Sequence, residues 1–129
     1  MRNVLVTGGS RGIGLAIARK LAASDYNVIA VARRENEELR HAIRELGEDR
    51  LHFRAFDLSE IKAIQSFVKG LRDAFGAIYG LVNNAGIGTE GLLATMHNSE
   101  IEALIFLNVL SPVVLTKYVV RHMMADGAG

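Results

Sequence analysis

Short apolar runs alternate along this chain with longer stretches in which apolar residues recur every three or four positions. Val4-Leu5-Val6 is a β-rich run ending at Thr7 and two glycines. From residue 12 to 23, Ile13, Ala16, Ile17 and Leu21 recur at helical spacing. Val28-Ile29-Ala30-Val31 is apolar without alternation, the pattern of a strand covered on both faces. Residues 35–46 are polar except for a stripe of Leu39, Ile43 and Leu46, which predicts a surface helix stopped by Gly47. Residues 51–56 predict a third strand. Ser59 is placed to cap the next helix, whose apolar stripe is Ile61, Ile64, Phe67, Val68 and Leu71. Residues 78–82 predict a fourth strand, followed by Asn83-Asn84-Ala85-Gly86. Ser99-x-x-Glu102 matches a capping box and opens a long last helix through Leu104, Phe106, Leu107 and Leu110.

Strands alternating with helices predict an α/β fold: a Rossmann-type, doubly wound parallel sheet in three αβα layers, with right-handed crossovers. The β–α units suggest strand order 3-2-1-4 and one domain over residues 1–129, a sheet truncated after about four strands. Half of the 129 residues are apolar and 22% are charged, as in a globular chain. With 15 basic and 14 acidic residues the net charge is +1, so electrostatics favours neither nucleic acid nor an anionic membrane as partner. The chain has no cysteine, which excludes disulfides, thiolate metal sites and cysteine nucleophiles. His41, His52, His97 and His122 lack metal-ligand spacing, and no metal site is expected. No signal-peptide pattern opens the chain, and no apolar run approaches the ~18 residues that span a bilayer. A cytoplasmic protein is the expectation.

The glycines at the first strand–helix junction carry the most specific chemistry. Gly8, Ser10, Arg11, Gly12, Ile13 and Gly14 form a turn leading into a helix N-terminus. Such an end offers unpaired N–H groups and about half a positive charge, which suits a dinucleotide pyrophosphate. Glycine lets the backbone turn tightly and lets phosphate approach it. A P-loop is a poor alternative, because no Gly-Lys-Ser/Thr follows. Gly86-Ile87-Gly88-Thr89-Glu90-Gly91 also spells GxGxxG, but no apolar-periodic helix follows directly. That segment is expected to be a mobile loop at the mouth of the site.

Thr7-Gly8-x-x-x-Gly12-x-Gly14 together with Asn83-Asn84-Ala85-Gly86 resembles the short-chain dehydrogenase/reductase family over essentially the whole chain. Within that family the chain is most similar to 3-oxoacyl-(acyl-carrier-protein) reductases and their relatives. The resemblance implies an oxidoreductase that moves hydride between a nicotinamide cofactor and a small carbonyl or alcohol substrate, in a homodimer or homotetramer. It implies that Asp57, with Leu58 behind it, holds the adenine, and that Ile13 meets the nicotinamide end. It also implies that Asn83 fastens the fourth strand beside the adenine ribose, with Ala85 and Gly86 lining the cofactor. Asp57 has a second reading, as a cap for the helix near Ser59.

The residue closing the second strand normally decides between NAD and NADP, since an acid there binds the ribose hydroxyls and repels a 2′-phosphate. Here that position is Ala32, followed by Arg33 and Arg34, while Arg11 sits inside the glycine turn. NADP(H) is therefore preferred over NAD(H). The competing reading makes Arg33 and Arg34 a solvated helix cap.

Asn108 lies in an apolar helix, where its amide needs partners. Pro112, four residues on, lacks the N–H that would take the Asn108 carbonyl and should kink the helix. A freed carbonyl can hold a water. In the family this asparagine position holds a water linking a catalytic lysine to solvent, which makes Asn108 the one catalytic candidate. The alternative is an incidental kink with Asn108 bonded within the core.

The family's Tyr-x-x-x-Lys pair is absent: Tyr26, Tyr79 and Tyr118 are followed four residues later by Ala30, Asn83 and His122. The resemblance thus implies the cofactor-binding front half of a longer enzyme, without its serine, tyrosine and lysine. It also implies an apolar edge on the fourth strand and an exposed face on the last helix, both prone to association. A non-catalytic dinucleotide-binding module, or a fragment that acts by pairing with a partner, remains an alternative.

Overall fold

A strand with helices on both faces must be apolar at successive positions, and two stretches of this chain meet that condition. In the computed structural model, which describes residues 1–87 and 91–129, they form β1 (Arg2–Thr7) and β2 (Tyr26–Ala32). β3 (Leu51–Ala55) and β4 (Ile78–Val82) flank them in a parallel sheet of order β3-β2-β1-β4. Successive side chains of β1 and β2 serve opposite layers. Val4, Val6, Val28 and Ala30 pack beneath α1 (Gly12–Ala23) and α2 (Glu37–Leu46). Leu5, Ile29 and Val31 face α3 (Ile64–Phe75) and the end of the last helix. The three-layer Rossmann-type arrangement expected from the sequence is thus present.

The last helical segment has three parts: α4 (Asn98–Ile105), a π-helical turn over Phe106–Leu110, and α5 (Ser111–Asp126). Within the π turn the Ser111 N–H bonds to the Phe106 carbonyl, five residues back. The extra residue stands directly before Pro112, where a kink is expected from the missing N–H. Leu115 and Val119 are fully buried against α3 and β4 and anchor α5 to the sheet.

Three local expectations need correction. The capping box does not form, because α4 begins behind His97 and Ser99 lies inside the first turn. Ser59 does not cap α3, which starts at Ile64 after a 3₁₀ turn; its N–H and hydroxyl are both committed to Asp57. The segment Asn98–Asp126 has a mean hydropathy of 1.9 over an 18-residue window, long and apolar enough by composition to cross a membrane. Counting unbroken apolar runs missed this, because Asn108, Ser111 and Pro112 interrupt them.

Candidate functional site

Because the strands are parallel, their C-terminal ends share one edge of the sheet, where ligands of such folds bind. A cleft of about 900 Å³ opens over that edge. Its walls are the glycine turn (Gly8, Ser10, Arg11), the residue after β2 (Arg33), the segment after β3 (Asp57, Leu58) and the segment after β4 (Ala85, Gly86). Gly12, Ile13 and Gly14 form the first turn of α1 at its lip, with Ile13 73% exposed.

The turn is held against β2 by a bond from the Gly8 N–H to the Val31 carbonyl, 2.8 Å. Gly12 has φ +58°, a left-handed conformation that side chains disfavour. Gly14 is required by space, since a Cβ there would collide with the Gly8 carbonyl oxygen. α1 begins behind Arg11 with no side-chain cap and no acid in its first turn. α2, by contrast, is capped by Asn36 and carries Glu37 and Glu38. The α1 end therefore keeps its N–H groups and partial positive charge available to an anion. A glycine cradle that a Cβ would fill, ahead of an uncapped helix, fits a pyrophosphate.

Arg11, Arg33 and Arg34 are exposed and form no ion pair among the described residues. Ala32 closes β2 without a carboxylate. Across the cleft, the Ser59 amide (3.0 Å) and hydroxyl (2.8 Å) hold Asp57 below the usual carboxylate range, with a smaller pull from Arg33. Asp57 does not cap a helix, as its second reading had it: the following 3₁₀ turn and α3 both begin without a side-chain cap. Asp57 instead closes a local turn on Ser59 while lining the cleft.

After β4 the chain is fastened by side chains. Asn83 is exposed and donates to Thr116 on α5 (3.0 Å), facing a helix and not the glycine turn. It is Asn84 that reaches the turn, through Nδ2 to the Gly8 carbonyl at 3.3 Å. Asn108 is exposed, yet both ends of its amide are bonded: Oδ1 accepts from the Ile87 N–H (2.8 Å) and Nδ2 donates to the Ile87 carbonyl (2.7 Å). Its partner is therefore a loop backbone and not the core. Residues 88–90 of the second glycine-rich segment lie outside the described residues. After Gly91 comes a 3₁₀ turn, Leu93–Thr95.

Besides Asn84, sequence reasoning gave no role to two residues that shape this site. Thr7, 1% exposed, accepts from the N–H groups of both Asn84 and Ala85 at 3.0 Å, locking the end of β1 to the exit of β4. Asn36 caps α2 and also donates to the Ser10 carbonyl. Asn36 had a visible signal: an asparagine three residues before the stripe residue Leu39. Thr7 opens the glycine motif, but nothing in the motif showed its role, because its partners are more than 70 residues away.

A sequence model described as short chain dehydrogenase matches residues 2–129. The 3-oxoacyl-(acyl-carrier-protein) reductase FabG of Vibrio harveyi is 40% identical over 97% of this chain and 50% of its own length. The ketoacyl reductase HetN of a Nostoc strain is 32% identical over 99% of this chain and 45% of its own. Among solved structures, a metagenomic short-chain oxidoreductase in complex with NADP superposes with a TM-score of 0.90 at 40% identity, covering 99% of this chain and 59% of that one. A 3-oxoacyl-(acyl-carrier protein) reductase of Brucella melitensis in complex with NAD gives 0.87 at 37%, covering 96% and 49%. The chain spans about half the length of the curated relatives it matches. With the turn, the sheet order and the sequence all in agreement, the chain belongs to the short-chain dehydrogenase family.

Proposed function

We propose that this chain binds NADP(H) and forms the cofactor-bearing half of a reductase or dehydrogenase acting on a small carbonyl or alcohol, a 3-oxoacyl thioester being the foremost candidate. The observation that carries the cofactor choice is the combination of three cleft arginines that form no ion pair among the described residues with Ala32, where a carboxylate would select NAD. Bound there, the nicotinamide would supply hydride to a carbonyl or accept it from an alcohol. The chain's own part is binding: the α1 N-terminus and glycine turn take the pyrophosphate, Arg11 and Arg33 the 2′-phosphate, and Asp57 and Leu58 the adenine. Asn83 fastens the exit of β4 to α5 through Thr116, Ala85 and Gly86 line the cofactor on the ribose side, and Ile13 borders the nicotinamide end. Asn108 fastens Ile87 with its side chain and offers its carbonyl to a water on the proton route. No Tyr-x-x-x-Lys occurs in this sequence, so the role assigned to these residues is binding and positioning and not proton donation.

Titrating the intact protein with NADPH and NADH at rising salt tests this. NADPH should bind more tightly, with an advantage that shrinks as salt screens the arginines. Equal affinities at low salt would refute the phosphate clamp. The homo-oligomer reading rests on Ile105, Val109 and Val113, at 56%, 52% and 61% exposure on one face of the last helical segment.

A further inference from the structure

The glycine turn and the β2–α2 connection reach the cleft from separate parts of the chain, and one side chain joins them. Asn36 Nδ2 donates to the Ser10 carbonyl at 2.9 Å across 26 residues of sequence, while Oδ1 accepts from the Leu39 N–H at 2.8 Å. The amide orientation follows from its partners: only the oxygen can serve an N–H, so the nitrogen must face a carbonyl. Ser10 immediately precedes Arg11, and Asn36 closely follows Arg33 and Arg34. The bond therefore ties together the two backbone arms that carry the unpaired guanidiniums. Those arms are also joined at the root of the cleft by the Gly8 N–H bond to the Val31 carbonyl, 2.8 Å. The Gly9 N–H reaches the same carbonyl at 3.4 Å, so the root pivots on one atom and leaves a hinge between like-charged arms; the Asn36 bond, farther out, fixes their separation.

We propose that Asn36 is a positioning residue for cofactor choice: by bonding Ser10 it sets the spacing of Arg11 and Arg33, and so favours a dinucleotide bearing a phosphate between them. This rests on the NADP(H) reading. Two exposed guanidiniums repel each other and would drift apart if the outer tether were cut. A 2′-phosphate would then have to order both arms on binding, and preorganisation removes that cost. NADH lacks the phosphate and uses the pyrophosphate cradle, which the inner tether still holds.

Asn36 has two roles, and two substitutions separate them. In Asn36→Ser the hydroxyl can still cap α2, since serine caps as well as asparagine, but it is too short to reach the Ser10 carbonyl. Asn36→Ala loses both bonds. NADPH and NADH are titrated calorimetrically against the intact wild-type protein and both variants, and thermal midpoints are recorded. Both variants should lose about five- to tenfold in NADPH affinity, the effect of one neutral hydrogen bond, and less than about twofold in NADH affinity. The thermal midpoint should fall clearly only in Asn36→Ala. An unchanged NADPH/NADH ratio in Asn36→Ser overturns the proposal, including the case in which both cofactors weaken together. A wild type with no preference for NADPH overturns the cofactor reading itself, and with it this proposal, before any variant is compared.

Discussion

Replacing Thr7 by valine removes one oxygen and almost no volume, so it isolates what the hydroxyl does. That oxygen accepts the N–H groups of Asn84 and Ala85, each at 3.0 Å, and the side chain is 1% exposed. Its own donated contact, to the Val82 carbonyl, is 3.4 Å and weak. Valine suits a strand and adds an apolar group to the core, which offsets part of the loss. Leaving two partly buried donors without an acceptor costs about 1–1.5 kcal/mol each, so Thr7→Val should destabilise by about 2–3 kcal/mol. Thr7→Ser keeps the oxygen and deletes one methyl, for about 1 kcal/mol. The order is thus the reverse of what hydrophobicity alone would give. Urea unfolding of the intact protein should show the larger fall in midpoint for Thr7→Val at unchanged m-value. Amide exchange at Asn84 and Ala85 should accelerate in Thr7→Val only. A valine variant as stable as wild type, with both amides still protected, would refute the account of Thr7 as the lock between β1 and β4.

Other expectations follow from the same geometry. His52 donates through Nε2 to Asn27 Oδ1 at 2.7 Å, and its pKa is lowered from 6.5, first by burial and then by Arg54. The unfolded chain therefore takes up this proton first, so stability that is full above about pH 6.5 should decline as the pH falls through the depressed folded value. Unfolding midpoints against pH should show less of that decline in His52→Gln. Gly12→Ala meets no neighbour within 4 Å and only strains a φ of +58°, so it should cost about 1–2 kcal/mol. Gly14→Ala must displace the Gly8 carbonyl, so calorimetry should show NADPH binding reduced at least about tenfold, well beyond the Gly12 variant. Val113→Lys places a charge on an exposed apolar face and should shift the light-scattering mass toward monomer; an unchanged mass would exclude that face as a subunit contact.

What could be read from the sequence was what depends on near neighbours. The apolar run at 28–31 specifies a buried parallel strand, the run at 78–82 specifies a strand whose only buried residue is Ile78, and the stripe through Ile64, Val68 and Leu71 specifies the inner face of α3. The strand ends were hidden. β1 and β2 extend through Asn3 and Asn27, residues with poor strand propensity, because Asn27 donates to Asn3 Oδ1 across the ladder at 2.8 Å. The candidate turn was legible because helix-end electrostatics and glycine stereochemistry act within a few residues. The capping box at Ser99 misled because the same residue types are compatible with a first-turn position. Helix starts depend on where the preceding chain arrives, and here it arrives at His97.

Three polar side chains are buried among the described residues, Asn3, Thr7 and Ser111, and each is spent on backbone next to a strand. Asn3 donates to the Phe75 and Ala77 carbonyls just before β4, at 2.8 and 2.9 Å. Thr7 holds the chain just after β4. β4 needs both, because its ladder with β1 shifts register between Asn3 and Val4 and its other edge has no partner strand among the described residues. Polar clamps at the two ends of β1 thus do what an unbroken ladder would do, while Val4, Leu5 and Val6 between them build the core. Ser111 plays the same part for the opposite wall, donating at 2.7 Å to the carbonyl of Leu58, the residue enclosed by the Asp57–Ser59 turn. The π turn ends where Ser111 begins α5, so the irregular stretch of the last helix and the wall of the cleft share one anchoring bond. Burying a hydroxyl is tolerable only when it is bonded, and that requirement fixes the wall's position more sharply than apolar packing, which can slide.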